Sequence, residues 1–318
     1  MEQSVELQKT STSFKLRYLA DSEGVLGGIF LFPALAYIIG LVAVPFFVAI
    51  AFSLSDVTVG DTSLDFVGLR NFQNIIRTPQ FRRALLNTVL FTVISQFFII
   101  LLANILAVVL AQDFHGKWLA RMLIMMPWAT PIALGTIGWK WLFDSKFSTF
   151  DWLLVKLGLL GAPDALLGPG LHMTFLGREY LAMASVILVH IWRTLPLAAV
   201  ILMAGLTSID RELIDQAEVD GASFWRIHMQ VKIPLVLPIL YIALLFGLIF
   251  TFTDMTVVFI LTRGGPVYYT QVLSVWAYFK GIDGGSLNEG AAIALFLFPV
   301  LLAVAILLLK TARRMEVR

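Results

Sequence analysis

The sequence contains no cysteine, and only 14% of its 318 residues are charged. Without cysteine the chain can form neither disulfides nor thiolate metal sites. Its four histidines lie too far apart for a local metal-ligand motif: His115, His172, His190 and His228. The sequence also lacks a Gly-x-x-x-x-Gly-Lys-Ser/Thr phosphate-binding loop, a His-Glu-x-x-His motif and a Gly-x-Ser-x-Gly motif. These absences argue against an ATPase, a metalloprotease or a serine hydrolase within this chain.

Apolar residues make up 59% of the chain, and its mean hydropathy is +0.87. An ordinary soluble domain is about one-quarter charged, so this composition predicts a membrane protein. The net charge is only +2, and the basic residues are scattered rather than clustered on one stripe. Nucleic acid is therefore not expected as a partner.

Six apolar stretches are long enough to cross a bilayer as helices, which needs about 20 residues each. They begin near Val25, Leu85, Trp118, Tyr180, Pro234 and Glu289. They end near Asp56, Asp113, Asp144, Ser208, Arg263 and Lys310. The sequence thus predicts an all-α membrane protein with six transmembrane helices. The side that holds both termini carries the larger share of lysine and arginine, so we expect both termini in the cytoplasm.

The cytoplasmic segment between the fourth and fifth spans, residues 208–233, has strong helix signals. Asp210 can cap a helix, Gly221 can end it, and an aromatic pair, Phe224-Trp225, begins a second helical piece. The first piece is amphipathic, which fits either a helix that docks in a partner's groove or an ordinary surface helix. The pattern alone leaves both interpretations open.

Two stretches of this segment carry a resemblance to a known family. Asp215-Gln-Ala-Glu-Val-Asp-Gly-Ala222, followed by Ile233-Pro-Leu-Val-Leu-Pro238, resembles the "EAA" loop of binding-protein-dependent ABC importers. Three positions depart from the family pattern. Asp215 replaces glutamate, Gln216 replaces alanine, and His228 stands where phenylalanine is usual.

Further motifs follow in the family's order along most of the chain. They are Phe66-Val-Gly-Leu-Arg-Asn-Phe72, Asn87-Thr88, Trp192-Arg-Thr-Leu-Pro196, Ala204-Gly-Leu206, Thr262-Arg-Gly-Gly-Pro266 with Thr270 and Leu273, and Gly290-Ala-Ala292. Together they are similar to the carbohydrate-uptake branch, particularly its maltose-type permeases. The resemblance implies the type I ABC importer permease fold and a multi-pass protein of the bacterial inner membrane.

In this family the loop helix couples the permease to an ATPase. By motif position, the resemblance assigns this role to Asp215, Ala217, Asp220, Gly221, Ala222 and Pro234. It also implies a second homologous permease subunit, two copies of an ABC ATPase and an extracytoplasmic solute-binding protein, all in contact with membrane lipid. ATP and Mg²⁺ are expected on the partner ATPase, with no cofactor in this chain and no catalytic role for it.

The resulting division of the chain has four parts. They are a cytoplasmic tail at 1–24, the first span with an extracytoplasmic loop at 25–84, a core transmembrane domain at 85–310 with the coupling loop 208–233, and a cytoplasmic tail at 311–318.

Charged residues inside spans are costly and are usually paired or functional. His190, Arg193 and Thr194 share one face of the fourth span, while Thr251 and Asp254 share one face of the fifth. These two faces are candidates for the wall of a solute path, because such groups can hydrogen-bond sugar hydroxyls. A structural ion pair between Arg193 and Asp254 explains the same residues equally well.

A rival function is an ion-coupled secondary transporter, in which Asp254 would serve as the ion site. Such transporters are built from internal repeats, and the two halves of this sequence show none. Within the family, solutes include sugars, oligosaccharides, polyols and glycerol phosphodiesters. The sequence does not identify which of these is carried.

Overall fold

A computed structural model describes residues 23–316 of the chain. Before the fourth span its elements are α1 (Glu23–Ile38), α2 (Val44–Ser53), β1 (Ser55–Thr58), β2 (Asp61–Phe66), α3 (Arg70–Arg77), α4 (Pro79–Ala111), α5 (Lys117–Ala129), α6 (Ile132–Leu142) and α7 (Thr149–Lys156). The remaining elements are α8 (Glu179–Thr207), α9 (Arg211–Val219), α10 (Phe224–Ile227), α11 (Ile233–Phe252), α12 (Thr256–Thr262), α13 (Leu273–Tyr278) and α14 (Leu287–Glu316).

Five helical stretches are long and apolar enough to cross a membrane, and a bent helix pair supplies a sixth. In chain order the spans are α1 with α2, α4, the bent pair α5 with α6, α8, α10 with α11, and α14. The fifth helical stretch begins at Phe224, before the predicted start near Pro234. The predicted six spans are thereby confirmed. The predicted four-part division of the chain stays a prediction, and of the two predicted tails, residues 1–22 and 317–318 lie outside the described residues.

The third span is bent by 93° between α5 and α6. The bend falls at Thr130 and Pro131, and Pro131 begins the second helix as its N-cap. Proline lacks a backbone N–H and disfavours helical geometry in the residue before it, which explains why the helix stops here. The sequence places this proline inside a span, but the size of the bend is a finding of the structure.

The fifth span differs from the prediction, which extends it to Arg263. Its helix α11 ends at Phe252, the chain leaves helical hydrogen bonding around Thr253 and Asp254, and the short helix α12 follows. The physical reason is a side-chain acceptor, because the Asp254 carboxylate accepts a hydrogen bond from the backbone N–H of Val257 at 3.2 Å. This contact satisfies one of the free N–H groups at the start of α12.

Two short strands lie outside the spans and are an exception to the all-helical expectation. β1 and β2 pair antiparallel, with Ser55 opposite Phe66, and follow directly from the end of the first span. This hairpin, α3, α7 and α13 lie in the connections on the side of the membrane opposite the segment 208–233. That side of the bundle is therefore a layer of short elements.

The core is formed mainly by the second and fourth spans, which pack against each other along their length. Small residues in both helices are almost fully buried at this contact: Ala103, Ala107, Ala198 and Ala199. Small side chains allow transmembrane helices to approach closely. By contrast, the first span contacts chiefly the sixth, where the Phe46 and Phe298 rings lie 5.0 Å apart.

Candidate functional site

A buried polar cluster connects the second, fourth and fifth spans. The His190 imidazole is fully buried, with Nδ1 2.8 Å from Asp254 Oδ2 and Nε2 2.8 Å from Thr251 Oγ1. Gln96 of α4 donates from Nε2 to the same Thr251 hydroxyl at 2.6 Å. Four side chains from three spans are thus joined in one hydrogen-bonded cluster.

Asp254 is the central acceptor of this cluster and lies in the gap between α11 and α12. Its Oδ2 is 3.7 Å from an Arg193 guanidinium nitrogen, in addition to the His190 contact. Its backbone carbonyl accepts a hydrogen bond from Ser274 Oγ at 3.0 Å, which attaches α13 to the gap. A buried carboxylate is tolerated only when it is paired and hydrogen-bonded, and here both conditions hold.

Arg193 is the most accessible member of the cluster, with 21% of its side chain exposed against 3% for Asp254. Its Cζ lies 5.7 Å from the ring centroid of Trp128, at the end of α5 beside the 93° bend. The break of the third span and the break of the fifth span therefore both lie beside Arg193. Discontinuous helices that meet inside a bundle often form solute sites in transporters.

The structure brings all five predicted path residues into this one cluster. Thr194 is its most distant member, with Oγ1 3.5 Å from His190 Nε2. The geometry agrees with both explanations for Arg193 and Asp254. The two side chains lie 3.7 Å apart, as an ion pair would, and the arginine is also partly exposed. A role of the five residues in contacting solute stays a prediction.

Sequence reasoning missed two residues of the cluster, Gln96 and Trp128. Gln96 is a buried amide near the middle of a strongly apolar helix, and an amide at such a position was the available signal. Among residues 23–316 no three His, Cys, Asp or Glu side chains are placed to share a metal ion.

Gly247 of α11 allows the second and fifth spans to approach at the cluster. A Cβ atom at this position would overlap the side-chain amide of Gln96. Because a side chain here would displace the Gln96 amide, the hydrogen bond between Gln96 and Thr251 depends on this glycine.

The segment 208–233, called the docking loop after its predicted role, has the predicted helix, glycine break and second helix. The Asp210 carboxylate caps α9 by accepting from the Glu212 N–H at 3.1 Å. Gly221 follows the end of α9 with φ of +76°, a conformation that costs L-residues about 1 to 2 kcal/mol. α10 then leads through a π-helical turn, His228–Lys232, into α11.

The exposed face of α9 carries negative charge, and no other element of the described chain packs against it. No residue of the helix is buried, and Val219 is 88% exposed. The carboxylates of Glu212, Asp215 and Asp220 line one shallow groove on this surface. Of the six predicted coupling residues, Ala217 and Ala222 are half-buried, and Asp215, Asp220, Gly221 and Pro234 are exposed.

Two motif residues at the head of the second span hold the loop 263–272, which lies on the side of the bundle opposite the segment 208–233 and is called the outer loop. The Asn87 amide donates to the carbonyl oxygens of Tyr268 at 2.9 Å and Gln271 at 3.0 Å. The Thr88 hydroxyl accepts from the Leu273 N–H at 2.9 Å. The Asn87-Thr88 motif thus has a structural explanation, because it fixes the outer loop to the second span.

Asn71, from the motif after the first span, has a similar role. Its amide donates to the carbonyl oxygens of Ser53 and Ser55, both at 2.9 Å. Asn288, at the start of the sixth span, in turn donates to the Asp56 carboxylate at 3.0 Å. These bonds fix the end of the first span to the start of the sixth.

Comparison with known proteins agrees with this architecture. A family model described as "Binding-protein-dependent transport system inner membrane component" matches residues 99–316. A probable ABC transporter permease of Sinorhizobium fredii is 31% identical over 87% of this chain and 86% of its own length. A trehalose/maltose transport system permease protein of Thermococcus litoralis is 27% identical over 94% of this chain and 96% of its own.

A similar fold occurs in the crystal structure of a bacterial ABC transporter that imports the acidic polysaccharide alginate. The TM-score is 0.78 at 18% identity, covering 94% of this chain and 99% of the other. At this identity the likeness concerns the fold, which is that of ABC importer permeases of type I. Because the family model covers well over half of its length, this chain belongs to the multi-pass inner-membrane components of binding-protein-dependent ABC transport systems.

Proposed function

We propose that this chain is the permease subunit of an ATP-driven importer for a sugar or a related polyhydroxylated solute. The observation that carries the proposal is the relationship to the trehalose/maltose permease, which extends over nearly the whole of both chains. The family membership favours this function over the ion-coupled alternative, because binding-protein-dependent systems form a different class of transporter.

The solute path is proposed to run past Arg193, where the breaks of the third and fifth spans meet. Arginine donates several hydrogen bonds from a planar group, and Trp128 offers an aromatic face 5.7 Å from its Cζ. His190, Thr194, Thr251 and Asp254 are buried in this conformation. They would reach solute only after the spans rearrange, and in this conformation they orient Arg193.

The docking loop is proposed to bind a cleft of the ATPase through Asp215, Ala217, Asp220, Gly221, Ala222 and Pro234. Its acidic, unpacked face and its attachment to two spans support this role. This orientation requires the loop and both termini to lie in the cytoplasm.

The assembly is proposed to contain a second homologous permease subunit, two ATPase copies and an extracytoplasmic solute-binding protein. ATP and Mg²⁺ would bind the ATPase copies, and this chain would contribute no catalytic residue. Exposed apolar side chains on the spans, such as Phe97 and Leu134, are available to lipid and to the second subunit.

The function is tested by purifying the chain with its co-encoded partners and reconstituting the complex in vesicles. We expect uptake of one member of a sugar and polyol panel that depends on ATP at the ATPase face and is unaffected when ion gradients are collapsed. Uptake that follows an ion gradient without ATP would overturn the proposal.

A further inference from the structure

The second span carries three polar side chains that bind three separate parts of the protein. Asn87 holds the outer loop, Gln96 enters the buried cluster, and Asn104 contacts the docking loop. At a rise of 1.5 Å per residue, Asn87 and Asn104 lie about 26 Å apart along one helix. One continuous helix therefore connects the docking loop, the candidate solute site and the extracytoplasmic surface.

The contact at the cytoplasmic end of this helix is made by His228. Its Nε2 lies 2.9 Å from Asn104 Oδ1, so that the ring N–H donates to the amide oxygen. The histidine is buried, with 4% exposure, and its ring stacks parallel to that of Phe224 at 6.4 Å between centroids. The contact is therefore held in a defined geometry from the docking-loop side.

The surroundings of Asn104 make this hydrogen bond consequential. Its helix neighbours Ala103 and Ala107 are fully buried, and its own Nδ2 has no partner among residues 23–316. The bond to His228 is thus the one side-chain hydrogen bond that Asn104 makes within the described part of the chain. Losing it would leave a polar group unpaired in apolar surroundings, which is more costly than removing both partners.

His228 is also the first residue of the π-helical turn that joins α10 to α11. Helical structure therefore runs from Phe224 of the docking loop into the fifth span without a break. Turns of this kind often occur at functional sites, and the described residues contain two more, Ile39–Ala43 and Phe279–Asp283. His228 consequently connects the docking loop with the second span at the point where the loop enters the fifth span.

We propose that His228 and Asn104 are positioning residues that transmit movement of the docking loop to the second span. The inference rests on the proposed docking of the ATPase at this loop. When the ATPase moves the loop, the hydrogen bond carries that movement to α4, whose Gln96 and Asn87 contact the solute site and the outer loop. The histidine, which departs from the phenylalanine usual in the family, forms a matched pair with the asparagine.

The test is a double-mutant cycle in the complete complex, with solute-stimulated ATPase activity as the readout. His228→Phe and Asn104→Leu each leave one polar partner unpaired, and we expect each to lower the maximal stimulated rate about fivefold or more. The double variant removes both polar groups and is expected to recover to within about twofold of the parent. His228→Gln, which keeps a donor, is expected to retain more activity than His228→Phe.

Two further measurements separate transmission from folding. The solute concentration for half-maximal stimulation and the amount of ATPase that copurifies are expected to be unchanged in all variants. Ile105→Leu, on the exposed side of the same helix, is the matched control and should resemble the parent. Full additivity of the two single effects in the double variant, or parental activity in both single variants, would overturn the inference.

The same experiment with Gly221→Arg distinguishes this inference from the proposed function. If Gly221→Arg abolishes stimulation while the His228 and Asn104 variants behave like the parent, only the transmission role fails. If Gly221→Arg also leaves stimulation intact, the docking role of the loop fails, and the transmission role fails with it.

Discussion

The guanidinium of Arg193 lies 3.7 Å from the carboxylate of Asp254, in the gap where the helix of the fifth span is interrupted. The same carboxylate is 2.8 Å from the His190 ring. The Asp254 carboxylate therefore places a negative charge in this gap, and Arg193 of the fourth span compensates it.

Removing the carboxylate should destabilise the bundle. Asp254→Asn leaves Arg193 and His190 without their charged partner, and breaking a buried pair typically costs about 3 kcal/mol or more. We expect a lower thermal-unfolding midpoint for the purified protein in detergent. Asp164→Asn, an exposed carboxylate in a loop, is the control and should change stability by less than about 0.5 kcal/mol.

Arg193 should determine solute affinity. Arg193→Met keeps an apolar stem but removes all guanidinium donors, so we expect the half-saturating solute concentration to rise about tenfold, which corresponds to about 1.4 kcal/mol. Solute titrations of ATPase activity in the reconstituted complex measure this change. Arg178→Met removes an exposed charge at the start of the fourth span and should leave the value unchanged. An equal effect of both substitutions would contradict a specific role for Arg193.

A methyl group at Gly247 should displace the Gln96 amide from the buried cluster. Gly247→Ala introduces a Cβ that overlaps the Gln96 amide, and overpacking of this kind costs about 1 to 3 kcal/mol. The loss should be smaller when Gln96→Ala is present in the same chain, which a double-mutant cycle of thermal stability would detect. Gly138→Ala is the matched control, because a Cβ there meets no atom within 4 Å.

The positive φ of Gly221 should determine which residues the docking loop tolerates at this position. Gly221→Asn is expected to retain most stimulated ATPase activity, because asparagine tolerates left-handed backbone better than other residues with a side chain. Gly221→Arg is expected to abolish stimulation while the subunits still assemble. Copurification of the complex checks assembly, and parental stimulation in the arginine variant would refute the docking role.

Loss of the Asn87 amide should release the outer loop. Asn87→Ala removes two hydrogen bonds, each worth about 1 kcal/mol, and should speed amide hydrogen exchange in residues 263–272 several-fold. Hydrogen exchange read by mass spectrometry localises the effect. Asn74→Ala, at an exposed asparagine, should leave exchange in the outer loop at the parental rate.

Hydrophobic pattern alone predicts the six spans, because a bilayer requires apolar length regardless of what each helix contacts. Local sequence signals predict the helix and the glycine break of residues 208–233, because helix capping and the left-handed conformation of glycine are local effects. The end of α11 at Phe252 was not predictable in this way. The Asp254 carboxylate that caps α12 is buried there because the fourth span compensates its charge, and that pairing is a tertiary contact.

The same limit explains what was missed in the site. Gln96 acquires its role from Thr251, and Asn104 from His228, through pairings separated by 155 and 124 residues in sequence. A sequence marks such residues as unusual in an apolar helix without naming their partners. His228 is evident from sequence as a departure from the family pattern, but its partner becomes visible only when the helices are packed.

The hydrogen bonds of Asn87, Gln96 and Asn104 also limit when, during synthesis, the second span can reach its native packing. Their partners lie 124, 155 and 181 residues further along the chain for Asn104, Gln96 and Asn87. At ribosomal rates of about 5 to 20 residues per second, the second span waits on the order of 10 s for each partner to be synthesised. During that interval the three amide side chains lack their native hydrogen-bond partners. Native packing of the second span is therefore completed only after the loop that follows the fifth span has been synthesised.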